Sequence, residues 1–160
     1  KSLGKTAEAS KSFKKVIKLN PNFPEGFNNL AIVKQAQGKL NEALELSKEA
    51  LLLKPDSYIF HTNKGIILQE QGNFNEALKA FKKALSLNPK YVEAYYNMGN
   101  TLQYQDKQEE AIQHYKKTLS LKNSLLPCTE ALYQGSPPSA FTKDPAVSLI
   151  VDGPKIGRTI

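Results

Sequence analysis

The feature that most constrains this chain is a sequence repeat with a period of 34 residues. The pattern Leu-x-Pro occurs at residues 19–21, 53–55 and 87–89, and the next step of 34 falls on Asn123, where the pattern decays. A fixed period of this length is the signature of stacked supersecondary units, each of which buries its apolar face only against its neighbours.

A glycine slot recurs with the same period. It is occupied by Gly4, Gly38 and Gly72, with Asp106 in the fourth position. Glycine accepts the positive φ that commonly ends a helix, so each of these residues is predicted to begin a short linker. Asn41 and Asn75, three residues after two of the glycines, suit the start of the next helix.

The residues after each linker have helical spacing. Ala77, Phe81 and Ala84 lie at i, i+4 and i+7, which is one face of a helix. The equivalent residues form three series: Ala9, Ala43, Ala77 and Ala111; Phe13, Ser47, Phe81 and Tyr115; and Val16, Ala50, Ala84 and Thr118. A similar stripe precedes the linker of the last unit, at Tyr95, Met98, Gly99 and Leu102. Each unit is therefore predicted to be two antiparallel helices, and the fold to be all-α.

The order Gly, Ala, aromatic, Ala, Pro within 34 residues resembles the tetratricopeptide repeat (TPR) family. The resemblance covers residues 1–122 and implies a solenoid, a right-handed superhelix of antiparallel helix pairs. It implies three and a half repeats: 1–23 (partial), 24–57, 58–91 and 92–123. The sequence departs from the family pattern in one slot, which holds Phe27, His61 and Tyr95 rather than Trp. Most of the first helix of the first repeat is missing, which indicates truncation of a longer array.

The composition changes after Asn123. Residues 124–134 are predicted to form a capping helix over the open end of the array, with Pro127 in its first turn. Residues 135–160 begin as a Gly-Ser-Pro-Pro linker, and residues 146–151 have the composition of a strand. Two alternatives remain open for this segment: a disordered tail, or the start of a following domain.

The family resemblance implies that the first helices line a concave groove. Two polar series recur there, three times in three repeats: Asn29, Asn63 and Asn97, and Gln35, Gln69 and Gln103. The asparagine series is similar to the ladder in the repeat region of the O-linked N-acetylglucosamine transferases, which implies that the carboxamides bind a peptide backbone. A carboxamide offers a donor and an acceptor together, as this role requires. Bridging between neighbouring helices and simple solvent exposure are the alternatives.

Helical spacing adds neighbouring groove residues to this candidate peptide-binding set: Asn28, Glu70, Tyr96, Asn100 and Tyr104. Three of them, in the last repeat, follow one another at i+4, and tyrosine is favoured at interface anchors, so this repeat is the predicted hot spot. A clamp for a terminal carboxylate is not expected, because it would need Lys or Arg in the groove. The corresponding slots hold Asn28, Asn63, Asn97, Thr62 and Tyr96.

The net charge of +7 does not indicate a nucleic-acid partner. Only Arg158 is an arginine, and the lysines are spread along the whole chain. Lysine pairs at residues 14–15, 82–83 and 116–117 follow the repeat, with residues 48–49 (Lys-Glu) in the second repeat. They are predicted to form a solvated outer face, the alternative being contact with an acidic partner or membrane surface.

No constellation for catalysis is visible: there is no nucleophile–base pair, no metal cluster and no phosphate loop, so we expect neither enzyme activity in this segment nor a cofactor. Glu42, Glu76 and Glu110 suit first turns of helices. His61 is predicted to pack in the core and His114 to lie on the surface.

The lone cysteine, Cys128, suits a packing role and a reducing compartment, so we expect a cytoplasmic protein. No stretch approaches the roughly 20 apolar residues of a membrane span.

The sequence thus predicts an interaction scaffold that binds an extended peptide of a protein partner in its groove. The alternative is the substrate-recruiting arm of a larger transferase. A third interpretation is self-assembly into a homo-oligomer through uncapped ends or grooves.

Overall fold

The computed structural model of the protein describes residues 2–124, and their side chains from Thr6 onward. The predictions for residues 125–160, including most of the capping helix and the strand at 146–151, lie outside the described residues. The described part of the chain forms seven helices and no strand: α1 (Ser2–Leu19), α2 (Pro24–Ala36), α3 (Leu40–Leu53), α4 (Tyr58–Glu70), α5 (Phe74–Leu87), α6 (Val92–Tyr104) and α7 (Gln108–Ser124).

Three helix pairs, α2–α3, α4–α5 and α6–α7, recur along the chain with the 34-residue period. Within each pair a three-residue turn reverses the chain, so the two helices pack against one another. Helix α1 occupies the position of a second helix and packs on α2. The prediction of an all-α tetratricopeptide-type solenoid is confirmed by this element order.

The turns within the pairs use the predicted glycine slot. Gly38 (φ 73°), Gly72 (φ 78°) and Asp106 (φ 58°) all have left-handed backbone conformation. The amide of the following residue bonds back across the helix end, as from Lys39 N to Lys34 O at 2.9 Å. This is the hydrogen bond of a Schellman motif, which caps carbonyls that the helix leaves unpaired.

One local prediction about these turns is wrong. Gly4 lies inside α1 rather than in a linker, because glycine permits the left-handed conformation without imposing it. Asn41 and Asn75 lie in the first turns of α3 and α5, at the helix starts where they were predicted, and the N-cap residues are Lys39 and Asn73.

The proline slot decides where the second helices end. Helices α3 and α5 stop two residues before Pro55 and Pro89, because proline disfavours helical conformation in the residue before it. Asn123 occupies this slot in the last repeat, and α7 continues to Ser124. Ser124, predicted as the first residue of the capping helix, therefore belongs to α7.

The core is packed both within each helix pair and between neighbouring pairs, as where Met98 of α6 joins Phe81 of α5. Phe81 and Tyr115 are fully buried, and a Cβ added to Gly65 or Gly99 would lie within 2.5 Å of their rings. The predicted small-residue slot thus faces the predicted aromatic slot. The equivalent residues of α1 are less enclosed: Ala9 and Phe13 are half-buried and Val16 is exposed, because α2 is the one described helix that packs on α1.

The curvature of the array follows from which helices touch. Successive first helices contact one another, α2 with α4 and α4 with α6, whereas the successive second helices α1, α3, α5 and α7 do not. The first helices are closer together, so they form the inner face of the curve. The second helices fan outward and form the outer face.

Candidate functional site

The inner face of α2, α4 and α6 is the candidate site because it brings equivalent residues of successive repeats side by side. Residues about 34 positions apart meet across this face, as three contacts between side chains of adjacent first helices show. They join residue 28 to 63, residue 35 to 70, and residue 69 to 101.

The asparagine series divides into two kinds of residue. Asn29, Asn63 and Asn97 are all half-buried. Asn63 bridges two helices, since its Nδ2 donates to Oδ1 of Asn28 at 2.9 Å, and Asn28 is only 5% exposed. The carboxamides of Asn29 and Asn97 have no side-chain partner within the described residues. One member therefore has the bridging role, and two keep their hydrogen-bonding groups available.

The glutamine series also contacts neighbouring helices. Gln35 Nε2 donates to Glu70 Oε1 at 2.6 Å, and Gln69 Oε1 lies 3.2 Å from the hydroxyl of Thr101. Gln103 instead contacts the second helix of its own repeat, where the Tyr115 hydroxyl lies 3.0 Å from its Oε1. These residues order the inner face as well as lining it.

A third periodic series, Gln37, Gln71 and Gln105, was not among the predicted site residues. Each of its three glutamines donates from Nε2 to the preceding repeat: Gln37 to the carbonyl of Thr6 (3.2 Å), Gln71 to Oδ1 of Asn41 (2.9 Å) and Gln105 to Oδ1 of Asn75 (2.9 Å). The signal was present, because these glutamines are spaced by 34 residues. The bonds couple adjacent repeats at their turns, and they give Asn41 and Asn75 a role as acceptors.

The predicted hot spot in the last repeat forms one depression. Tyr96, Asn100, Gln103 and Tyr104 line a hollow of about 470 Å³. Tyr115 supports it from below: its ring is centred 6.0 Å from that of Tyr96, and its hydroxyl lies 2.7 Å from Oδ1 of Asn100. The polar and aromatic groups of this hollow are thus held in place before any ligand arrives.

A second depression of about 290 Å³ adjoins the first. Its lining consists of Gln69, Glu70, Gly72, Phe74 and Tyr104. The rings of Phe74 and Tyr104 stack, with centroids 5.7 Å apart and planes at 7°. Tyr104 is 67% exposed and lines both hollows. Phe74 was missed because it comes from a second helix, and only tertiary packing brings it to Tyr104.

The slots that would hold a carboxylate clamp lack cationic groups. Asn28 and Thr62 are buried, and Thr62 donates to the carbonyl of Tyr58 at 2.9 Å in its own helix. No lysine or arginine of the described residues lines either depression of the inner face.

The charges are divided between the two faces. Helix α2 carries Glu25 and Lys34, α4 carries Lys64 and Glu70, and α6 carries only Glu93. The lysine pairs at 14–15, 82–83 and 116–117 are exposed on second helices, and so are residues 48–49. The basic excess of the described residues therefore belongs to the outer face, while the inner face is close to neutral.

Several carboxylates are held ionised by their neighbours. The predicted first-turn positions of Glu42, Glu76 and Glu110 are confirmed. A hydrogen bond from Lys34 lowers the pKa of Glu42, and one from Lys79 lowers the pKa of Glu76. The pKa of Glu25 is lowered by a backbone hydrogen bond and by Lys54, whose Nζ lies 3.1 Å from Oε1.

Both histidines are half-buried, and desolvation lowers the pKa of each imidazole. His61 Nε2 lies 2.8 Å from the carbonyl oxygen of Pro55, and the residue is half-buried rather than enclosed in the core as predicted. His114, predicted on the surface, packs instead with its ring centred 6.1 Å from that of Tyr95. Spacing could not show this, because Tyr95 comes from the other helix of the pair.

The described residues contain no cluster of three or more His, Cys, Asp or Glu side chains able to hold a metal ion. Across the seven described helices, none combines the length and apolarity needed to cross a membrane.

Comparison with protein families identifies the repeat. A model described as TPR repeat matches residues 1–38 and 67–106, and two models described as tetratricopeptide repeat match residues 27–54 and 92–124. Among curated proteins, none matches this sequence.

Among solved structures, the fold is similar to that of proteins named MamA. A crystal structure of MamA superimposes with a TM-score of 0.68 at 29% identity, over 76% of this chain and 71% of that one. A second MamA crystal structure gives a TM-score of 0.66 at 29% identity, over 76% and 67%. MamA from Desulfovibrio magneticus RS-1 gives 0.70 at 22% identity, over 77% and 70%, and at that identity it shows the fold alone.

Proposed function

Because this chain is a tetratricopeptide-repeat solenoid, a protein-interaction scaffold, we propose that the inner face of α2, α4 and α6 binds an extended peptide segment of a protein partner. The peptide is held mainly by its backbone and makes no covalent bond with the scaffold.

The observation that carries the proposal is the state of Asn29 and Asn97. Both carboxamides are half-buried on the inner face, and neither has a side-chain partner among the described residues. A half-buried amide without a partner is costly unless water or a ligand satisfies it. Each carboxamide matches the C=O and N–H of one peptide unit, so the pair selects an extended backbone more than a particular sequence.

The last repeat supplies the anchor. Tyr96, Asn100 and Tyr104 share one hollow with Gln103, and Tyr115 and Phe74 already restrain all four side chains through the contacts described above. A preorganised site loses less side-chain freedom on binding, which strengthens affinity without adding contacts. Tyrosine also buries a large area and loses few rotamers, as expected for an interface anchor.

The test is a double substitution, Asn29→Ala with Asn97→Ala. The whole chain would be screened against an array of random-sequence peptides of about twelve residues, and the affinity of the captured peptides measured by fluorescence anisotropy. Loss of two hydrogen-bonding groups at about 0.5–1.5 kcal/mol each is expected to weaken binding by about five- to hundredfold. The circular dichroism spectrum is expected to stay unchanged.

The matched control removes two exposed amides from the outer face, Gln108→Ala with Gln113→Ala, and is expected to bind like the unmodified chain. Equal affinity of the groove variant and the control would refute backbone recognition by Asn29 and Asn97. If the unmodified chain captures no peptide, the groove proposal as a whole fails.

A further inference from the structure

The second hollow of the inner face has the chemistry of a site for a cation. It is lined by the stacked rings of Phe74 and Tyr104 and by the carboxylate of Glu70. We infer that this hollow receives an arginine side chain of the bound peptide, which lies over Tyr104 and pairs with Glu70. The inference rests on the proposed function, and it names a residue type that the groove selects.

The ring of Tyr104 is largely open to solvent. Phe74 lies in an offset stack against it, with centroids 5.7 Å apart, and Tyr104 is 67% exposed. The stack restrains the orientation of the ring and leaves much of its surface accessible. The π-face of an aromatic ring attracts cations, and a planar guanidinium stacks on it more extensively than an ammonium does.

The carboxylate of Glu70 is oriented by a hydrogen bond and has no ion-pair partner among the described residues. Its Oε1 accepts a hydrogen bond from Gln35 Nε2 at 2.6 Å, which holds the side chain in position. Glu70 makes no ion pair with any described lysine, although Glu25, Glu42, Glu45 and Glu76 all do. Glu70 is thus an exposed, oriented carboxylate whose charge is not matched by a neighbouring side chain.

The hollow lies where α4 and α6 end, at Glu70 and Tyr104, and where α5 begins, at Phe74. The C-terminal dipoles of α4 and α6 favour a cation, and the N-terminal dipole of α5 opposes them, so the charge preference comes from the Glu70 carboxylate. Neither α4 nor α6 has a basic residue in its last turn, whereas α2 has Lys34. No lysine of the described residues lines the hollow, so the positive charge of the outer face does not occupy it.

The test uses pools of acetylated and amidated nonapeptides. The central residue is fixed as Arg, Lys, citrulline, norleucine or Phe, and the other positions are random mixtures of Ala, Ser, Gly, Thr and Pro. Affinity for the full chain is measured by biolayer interferometry. The Arg pool is expected to bind about five- to thirtyfold tighter than the citrulline pool, which has nearly the same shape but no charge.

Two variants test whether the preference for arginine over citrulline arises in this hollow. Glu70→Gln and, separately, Tyr104→Leu are each expected to reduce the ratio of Arg-pool to citrulline-pool affinity. Tyr104→Leu is also expected to weaken the binding of both pools, because Tyr104 lines the anchor hollow as well. The control Glu49→Gln removes the same charge from an exposed position on the outer helix α3 and is expected to keep the full advantage.

The outcomes separate this inference from the proposed function. Equal binding of the Arg and citrulline pools, or an equal effect of Glu49→Gln and Glu70→Gln, would overturn the arginine site while peptide binding stands. A preference for the Phe or norleucine pool would assign the hollow to an apolar side chain and also overturn it. Failure of every pool to bind the unmodified chain would refute both proposals.

Discussion

Lys34 differs in charge from the residues at the equivalent positions of the other repeats. Its slot is occupied by Leu68 and Leu102 in the next two repeats, and both leucines are buried core residues. Lys34 is itself only 5% exposed, and its ammonium group forms an ion pair with Glu42, which is half exposed. The aliphatic part of the lysine replaces leucine in the core while its charge reaches a surface carboxylate.

Replacing this lysine gives a prediction about stability. Lys34→Leu is expected to leave the free energy of unfolding unchanged or to raise it by up to about 2 kcal/mol, because apolar packing removes the desolvation cost of a buried charge. Glu42→Gln is expected to lower the melting temperature, since it leaves Lys34 buried without a counter-ion. Thermal denaturation followed by circular dichroism measures both. A lower melting temperature for Lys34→Leu would show that the ion pair outweighs leucine packing.

The helix pair is built around one small residue that faces one aromatic residue. Gly65 faces Phe81 and Gly99 faces Tyr115, with no room for a methyl group between them. In the first complete pair this slot holds Ala31, and Ser47 occupies the aromatic position. The two slots therefore change together within one chain, as close packing requires.

This complementarity predicts the effect of adding one methyl group. In Gly65→Ala the new Cβ would lie 2.4 Å from Phe81 Cε1, so the helices must separate. We expect the free energy of unfolding to fall by about 1–3 kcal/mol, despite the better helix propensity of alanine. Urea denaturation is the measurement.

The first pair supplies the reciprocal experiment. Ser47→Phe alone is expected to be destabilising, because Ala31 blocks the ring, and Ala31→Gly in the same chain is expected to restore part of the loss. If the double variant is no more stable than Ser47→Phe, the two slots do not determine the helix spacing. The residues at these positions would then differ for a reason outside this contact.

At the scale of the whole molecule, polar side chains tie the repeats together along both the inner face and the turns. The bond between Asn63 and Asn28 and that between Gln35 and Glu70 join successive first helices. The series that begins at Gln37 joins each turn to the preceding repeat. Because each repeat contacts only its neighbours, these bonds set how stiffly the inner face is held.

Removal of one such tie should affect stability rather than recognition. Asn63→Ala leaves the Asn28 carboxamide buried without its donor, so we expect a loss of about 1–3 kcal/mol in the free energy of unfolding. Asn29→Ala and Asn97→Ala break no side-chain bond among the described residues and are expected to change stability little. Chemical denaturation of the three single variants separates the bridging asparagine from the two proposed to bind peptide. Equal losses in all three would give the whole series a structural role.

The candidate site was only partly predictable from these patterns. Spacing identified Tyr96, Asn100 and Tyr104 as one surface, because all three lie on one helix. It did not identify Phe74, which reaches Tyr104 from another helix, or the difference between Asn63 and its two equivalents. A repeat pattern treats equivalent positions alike, whereas a hydrogen bond depends on whether the neighbouring helix offers a partner such as Asn28.

The repeat pattern alone was enough to specify the architecture. A 34-residue period, helical spacing within each unit, and small and aromatic residues in facing slots admit one solution, a stack of helix pairs, because each unit can bury its apolar face only against the next. The tertiary structure decided which face curves inward, which carboxamides are already bonded, and where Glu70 meets Tyr104. Those properties depend on distances between different helices, which a one-dimensional period does not contain.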